Sequence, residues 1–432
     1  MGILLGTLWI AGGASRADAI GQIVVRAVAW TLLVIGILFG ERPSLQGVRP
    51  VLILLTAALL LALIQMVPLP PGLWQAMPGR GVLAEAAAAS GQPQPWRPWS
   101  IVPGATFNAA SSLVVPFVTL LFAAGLKQSE RALLPGLLLG LVAASFFVGL
   151  LQFATGGLHN PFVNDTPGEV SGTFANRNHF ALFLALGCIL APLWAFFGGR
   201  LPGWRAPLAL GLTLVFALML LVTGSRAGLV LGAIALATGL PLVSRGLRRE
   251  LRHYPRWTFP VLVFGLLALV AIVVLASVAA DRAVSIDRIL EVDQGQEMRV
   301  RGLPTVLAMI HTYFPFGSGL GGFDPLFRMH EPFELLKLTF FNHAHNDVIE
   351  VVLDAGLAGA CLLACAVGWW GWASVRAWRA GPRGTLAQAG SAILLLNLLA
   401  SLVDYPVRTP AMMAMVVIAA VWLSDDGASA PR

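Results

Sequence analysis

Runs of about twenty apolar residues recur along this chain from end to end, and each is long enough, as a helix, to cross roughly 30 Å of hydrocarbon. Of its 432 residues 57% are hydrophobic and only 11% charged, and mean hydropathy is +0.79. The fold expected is an all-α polytopic membrane protein. Twelve transmembrane helices are expected, over residues 2–13, 20–39, 50–68, 108–126, 132–154, 179–198, 206–223, 227–243, 257–279, 346–370, 385–403 and 410–424. The first is short. Met1–Ile10 lacks the basic start of a signal peptide and is read as opening that first helix.

Charge chooses the orientation. Short loops between the runs hold Arg42 and Arg49, Lys127 and Arg131, Arg200 and Arg205, then Arg245, Arg248, Arg249, Arg252 and Arg256, and finally Arg376, Arg379 and Arg383. With the terminal Arg432 these make fifteen of the 28 basic residues, all on one face if the chain crosses twelve times. The positive-inside rule makes that face cytoplasmic, with both termini on it. The pI near 10.1 thus reflects loop arginines rather than a nucleic-acid surface. The other face then receives loops 69–107 and 155–178, the long loop 280–345 between the ninth and tenth helices, and two tight turns, 223–226 and 404–410. Trp74, Trp96 and Trp99 in the 69–107 loop read as interfacial anchors, with stacking on sugars as the alternative. Cys188, Cys361 and Cys365 all lie in apolar runs and read as packing residues.

Against this background the polar segment Phe341-Asn342-His343-Ala344-His345-Asn346-Asp347 stands out, because it abuts an apolar run at a membrane boundary. Polar groups held there are usually retained for function. His345 can act as a general base, since imidazole titrates near neutrality. His343 two residues away and Asp347 offer metal-type ligands, but no third ligand has matching spacing. Arginines gather on the same face: Arg226 after a Thr-Gly-Ser turn, Arg299 and Arg301 before Pro304, and Arg177 and Arg408 in other connections. A guanidinium fork matches phosphate oxygens two at a time, which suits a diphosphate at a membrane surface. For any one arginine, snorkelling or pairing with a nearby acid such as Asp404 is the simpler reading. The stretch Pro315-Phe-Gly-Ser-Gly-Leu-Gly-Gly-Phe323 lacks the strand and the Gly-Lys-Ser/Thr ending of a nucleotide loop, so its glycines are expected to permit a tight turn or close approach to a substrate.

Several stretches together resemble the O-antigen ligase and O-antigen polymerase superfamily of bacterial membrane glycan transferases. They are Ser171-Gly-Thr-Phe-Ala-Asn-Arg-Asn-His179, Thr223-Gly-Ser-Arg-Ala-Gly228, Met298-Arg299 through Pro304, Tyr313–Phe323, His343-Ala-His-Asn-Asp347 with Glu350 and Gly356–Gly359, and Asp404-Tyr-Pro-Val-Arg-Thr-Pro410, the last like the exopolysaccharide variant. The resemblance is strongest over 171–410. It implies a helical bundle of about twelve spans whose active site opens to the periplasm from the bacterial inner membrane. It implies transfer of a glycan en bloc from undecaprenyl diphosphate to an acceptor hydroxyl, without metal or nucleotide cofactor. Carried onto this chain, the catalytic histidine falls on His345 and the serine–arginine turn on Arg226. The arginine before the Pro/Gly-rich segment falls on Arg299, with Arg301 a close competitor. Asn178, His179, His343, Asn346 and Arg408 are further pocket residues on this reading.

The chain divides, on this basis, into N-terminal helices over 1–170, a ligase- or polymerase-like core over 171–425 and a cytoplasmic tail over 426–432. The expected partners are an undecaprenyl-diphosphate-linked glycan, a glycan or lipid-linked glycan acceptor, and the bilayer itself; nucleic acid is not among them. Ligase and polymerase differ in the acceptor, and the residues do not separate them. A twelve-span secondary transporter is the rival from another class. Transporters place ionisable or broken-helix sites near the midplane, whereas here the polar residues gather at one boundary.

Overall fold

A computed structural model describes residues 1–166, 168–197, 203–250, 255, 257, 294–336 and 341–424. The helix expected over 257–279, the first part of the 280–345 loop and the 426–432 tail lie outside them, as do Arg200, Arg252, Arg256 and Arg432. The principal helices are α1 (Gly2–Ala11), α2 (Ile20–Phe39), α3 (Arg49–Gln65), α4 (Pro103–Ser112), α5 (Val114–Gly125), α6 (Leu134–Thr155), α7 (Arg177–Phe196) and α8 (Arg205–Val222). After them come α9 (Arg226–Glu250), α10 (Gln294–Tyr313), α11 (Phe323–His330), α12 (Asp347–Arg379), α13 (Thr385–Ser401) and α14 (Pro410–Ser424). Among the described residues, eight helices are long and apolar enough to cross a membrane, and three shorter apolar ones are α1, α13 and α14. These coincide with the expected segments other than 257–279. Almost no strand is present among the described residues: Pro68–Leu69 and Arg97–Pro98 pair antiparallel and close the base of the 69–107 loop.

Burial separates the helices by role. Helix α7 is apolar on every side, and nearly all its residues from His179 to Ala195 are buried, which is the pattern of a helix at the centre of a bundle. It packs against α6, α8, α9 and α13. Small residues set the closeness of that packing: a β-carbon on Gly228 of α9 would lie 2.4 Å from the Ala181 β-carbon, and one on Gly390 of α13 would lie 2.3 Å from the Ala419 carbonyl of α14. Helices α2 and α3 instead leave Ile37, Phe39 and Ile53 largely exposed, as an outer, lipid-facing layer would. Cys361 and Cys365 also face outward on α12, so of the three cysteines only Cys188 packs inside.

The connections at one end of the bundle are knitted together. Gly12 accepts from the Ala411 amide, Gly13 from the Ala175 amide, and Phe162 from the Gly21 amide, which ties the α1–α2, α6–α7 and α13–α14 connections to one another. Loop 69–107 cups the glycine-rich loop: Arg80 donates to the Gly317 carbonyl at 2.9 Å and Trp99 Nε1 to the Phe316 carbonyl at 3.0 Å. Trp74 corrects the expectation of three interfacial anchors. It is 1% exposed, donates to the Pro95 carbonyl and carries Arg97 over its ring, so it holds the loop together.

Helix α12 is broken at Gly356, whose φ of 56° and ψ of −140° are non-helical. The glycine-rich loop fills the break. Its Ser318 and Gly319 amides donate to the Leu353 and Asp354 carbonyls at 2.9 and 2.8 Å, and its Pro315 carbonyl accepts from the Leu357 amide at 2.8 Å. The loop therefore satisfies backbone groups that a break in a membrane helix would otherwise strand. Gln65, fully buried, locks the pair by donating to the Asp354 carbonyl and accepting from the Leu320 amide. The glycines permit close approach to this helix rather than, as expected, to a substrate.

Candidate active site

Three segments converge at the knitted end: the start of α7, residues 341–347 before α12, and the 402–409 turn between α13 and α14. Helix caps fix two of them. Asn176 Oδ1 accepts from the Asn178 amide at 2.8 Å at the start of α7, and Asn346 Oδ1 accepts from the Ile349 amide at 3.1 Å at the start of α12. Asn346 also donates to the Leu402 carbonyl at 2.9 Å, which ties α12 to the turn.

At the centre lies Asp404, 3% exposed. Its carboxylate accepts from Asn178 Nδ2 at 2.6 Å, Asn176 Nδ2 at 3.2 Å, the Tyr405 amide at 3.1 Å and His345 Nδ1 at 3.1 Å. His179 Nε2 lies 4.0 Å from one oxygen and Arg299 Nη2 3.8 Å from the other. Burial alone would raise the Asp404 pKa. The hydrogen bond from His345 and the electrostatic attraction of the His179 and His345 rings and of the Arg299 guanidinium outweigh it, so the group stays an anion well below the usual carboxylate range.

His345 responds in the opposite sense. Burial lowers its pKa below 6.5, the nearby Arg299 and His343 add to that, and Asp404 opposes it only in part. The imidazole is therefore neutral at neutral pH. A carboxylate can only accept, so Nδ1 carries the proton toward Asp404 and Nε2 keeps its lone pair. The residue holds φ at 50°, the left-handed region, which side chains other than glycine adopt mainly where surroundings enforce it. Here the enforcers are the Ala344 amide on Glu350 before it and the Asn346 cap after it.

Tyr405 is buried and touches all three histidine rings, with centroids 4.3 Å from His343, 4.9 Å from His345 and 5.2 Å from His179. Burial first, and then Asp404, pushes its phenol above the ordinary tyrosine range. A second network braces the site from the α12 side. His343 Nδ1 pairs with Glu350 at 2.9 Å, and Arg408 joins Glu350 at 3.1 Å to Asp347 at 2.9 Å. Arg408 stays charged because Glu350 and Asp347 outweigh the lowering effect of its burial. His343 and Asp347 thus face different partners. Among the described residues no group of three or more His, Cys, Asp or Glu side chains is arranged to hold a metal ion.

The arginines separate by position. Arg299 reaches the Asp404 carboxylate and, at 3.5 Å, the Val403 carbonyl, while its buried Nε has no hydrogen-bond partner among the described residues. Arg301 turns outward and donates to the Glu334 carbonyl at 3.2 Å. Arg226 opens α9 directly after Ser225, whose hydroxyl caps the helix through the Gly228 amide at 2.9 Å and donates to Asn178 Oδ1 at 2.8 Å. The serine–arginine turn is therefore one residue removed from the Asp404 network. Arg177 pairs with Glu169 at 3.3 Å, away from Asp404. An apolar groove of about 460 Å³ between α3, α12, α13 and α14 ends at Asp347, Ser401 and Arg408.

Asp404, Tyr405 and Asn176 are central here, yet from sequence they read only as an ion-pair partner, a turn residue and a loop residue. The available signal was an acid in a tight turn between two apolar runs, on the same face as the histidines.

Fold and site together define a multi-pass helical membrane protein with a histidine–carboxylate centre at one end of its bundle. Residues 211–364 match the family model described as O-Antigen ligase. None of the curated proteins compared with the chain matches it.

Proposed function

We propose that this protein moves a glycan en bloc from undecaprenyl diphosphate to an acceptor hydroxyl at the periplasmic face of the bacterial inner membrane, with both termini cytoplasmic. The observation that carries this reading is the convergence of His345 and Arg299 on Asp404, at a boundary where a lipid-linked headgroup would sit. The acceptor oxygen attacks the anomeric carbon, its proton passes to His345 Nε2, and the bond from that carbon to the diphosphate oxygen breaks. Undecaprenyl diphosphate departs with the electron pair, and attack opposite the leaving group inverts the anomeric configuration. Asp404 holds the imidazole in the accepting tautomer and balances the imidazolium that forms. Arg299 and Arg226 stabilise the charge that develops on the diphosphate. The groove ending at Asp347 and Arg408 suits an apolar carrier tail. The reading requires no metal or nucleotide, and the match of residues 211–364 to the O-Antigen ligase model supports it. A repeat-unit polymerase would use the same steps with a growing chain as acceptor.

The test is transfer in vitro from a purified undecaprenyl-diphosphate-linked glycan by three lysine variants. Arg226→Lys and Arg299→Lys are expected to lose turnover although charge is kept, because an ammonium cannot reproduce the planar fork. Arg301→Lys is expected to stay near wild type, since Arg301 faces the Glu334 carbonyl. Full activity of all three would contradict phosphate recognition by these arginines.

A further inference from the structure

The 402–409 turn faces two cavities of opposite chemistry. Arg408 and Val407 border the apolar groove, whereas Tyr405 forms part of the floor of a separate polar pocket of about 400 Å³. That volume falls within the roughly 300–1,000 Å³ typical of small-molecule sites. The pocket lies between the α1–α2 connection, which contributes Arg16, and the 155–178 loop, which contributes Asn164 and Glu169. Asn176, His179 and Asn342 complete its floor beside Tyr405.

We infer that this pocket binds the sugar of the acceptor glycan; the inference rests on the transferase reading and assigns that reaction its second substrate site. His179 is the first support. It is 2% exposed and lines the pocket, and neither ring nitrogen has a hydrogen-bond partner among the described residues. Its 4.0 Å separation from Asp404 is an ion-pair distance, too long for a hydrogen bond. A buried polar side chain left this way is matched by a ligand that donates or accepts there.

Charge is the second support. The charged groups facing the pocket are Arg16, whose Nε donates to Asp18 at 2.9 Å, and Glu169, which pairs with Arg177 at 3.3 Å. Both are compensated, so the pocket favours a neutral, hydroxyl-bearing ligand over a diphosphate. Amide groups of Asn164, Asn176 and Asn342 suit sugar hydroxyls, and the Tyr405 ring offers an apolar face for the sugar C–H groups. Position is the third. Asn176 donates to the carboxylate that holds His345, and Tyr405 touches the His345 ring, so a hydroxyl leaving this pocket arrives next to the base.

The test uses a single-cysteine reporter at the exposed Asn164, with Cys188, Cys361 and Cys365 replaced by alanine, and the rate of labelling by a hydrophilic maleimide. Thr166→Cys, also exposed, is the second reporter. Two probes are compared: the lipid-free oligosaccharide released by mild acid from the lipid-linked acceptor glycan, and undecaprenyl diphosphate alone. The oligosaccharide is expected to slow labelling roughly tenfold at about ten times its Kd, and undecaprenyl diphosphate is expected to leave the rate unchanged. Asn176→Ala is expected to remove the protection. Protection by undecaprenyl diphosphate instead, or by neither probe at both reporters, would overturn the assignment. Because labelling needs no turnover, a protein that is protected by saccharide yet transfers nothing would count against the transferase reading alone.

Discussion

A neutral imidazole beside a buried carboxylate has a definite pH signature. His345 acts as a base only when unprotonated, and burial holds its pKa below 6.5. Transfer is therefore expected to be flat through neutral pH and to fall only as pH drops below 6.5, as protons occupy Nε2. Asp404 raises the His345 pKa, so Asp404→Asn is expected to move that acid limb to still lower pH. The same change is expected to cut the plateau rate by up to roughly 10⁴-fold by releasing the tautomer. A rate profile over pH on both proteins checks this; an acid limb that moves upward in Asp404→Asn would contradict the pairing. His345 and Arg299, which the structure brings together on Asp404, could be picked out from sequence because each sits in a local motif. Asp404 could not, because it meets His345 across 59 residues of chain, and apolar periodicity says nothing about which turns touch.

Helix α12 shows what pattern alone hides at the scale of an element. Apart from Glu350 and Asp354 its sequence is apolar through the break, so residues 346–370 read as one continuous span, while the glycines of 317–322 read as permitting a tight turn or close approach to a substrate. The partner of that approach was not readable, since it is backbone rather than side chain. A β-carbon at Gly319, where φ is 107°, would lie 2.1 Å from Ser100 Oγ, and one at Gly356 would lie 2.0 Å from the Pro315 carbonyl. Gly319→Ala and Gly356→Ala are each expected to destabilise by about 2–5 kcal/mol, from strained backbone plus overpacking. Gly140→Ala in α6, with nothing within 4 Å of its β-carbon, is the control and is expected to leave stability unchanged or slightly raised. Thermal unfolding in detergent measures all three, and equal midpoints would remove the loop from the structural role given to it.

For the whole molecule, hydropathy made the helices legible, including the short α1, because crossing lipid imposes a length and a composition that few other constraints mimic. The order of burial was less legible, since α2 and α7 are similarly apolar although one lies outside and the other at the centre. The orientation proposed from loop charge predicts that a cysteine at Gly91 is labelled from the periplasmic side, while one at Ser129 is labelled only after the membrane is permeabilised. The reverse pattern would invert the protein and with it the side on which the site opens. The central claim is that His345 takes the proton from the acceptor. The most direct measurement is the rate of glycan transfer by purified His345→Ala, with donor purified on undecaprenyl diphosphate and folding verified by thermal unfolding. A loss of roughly 10²–10⁴-fold is expected with the fold intact, and a wild-type rate would remove His345 from the chemistry.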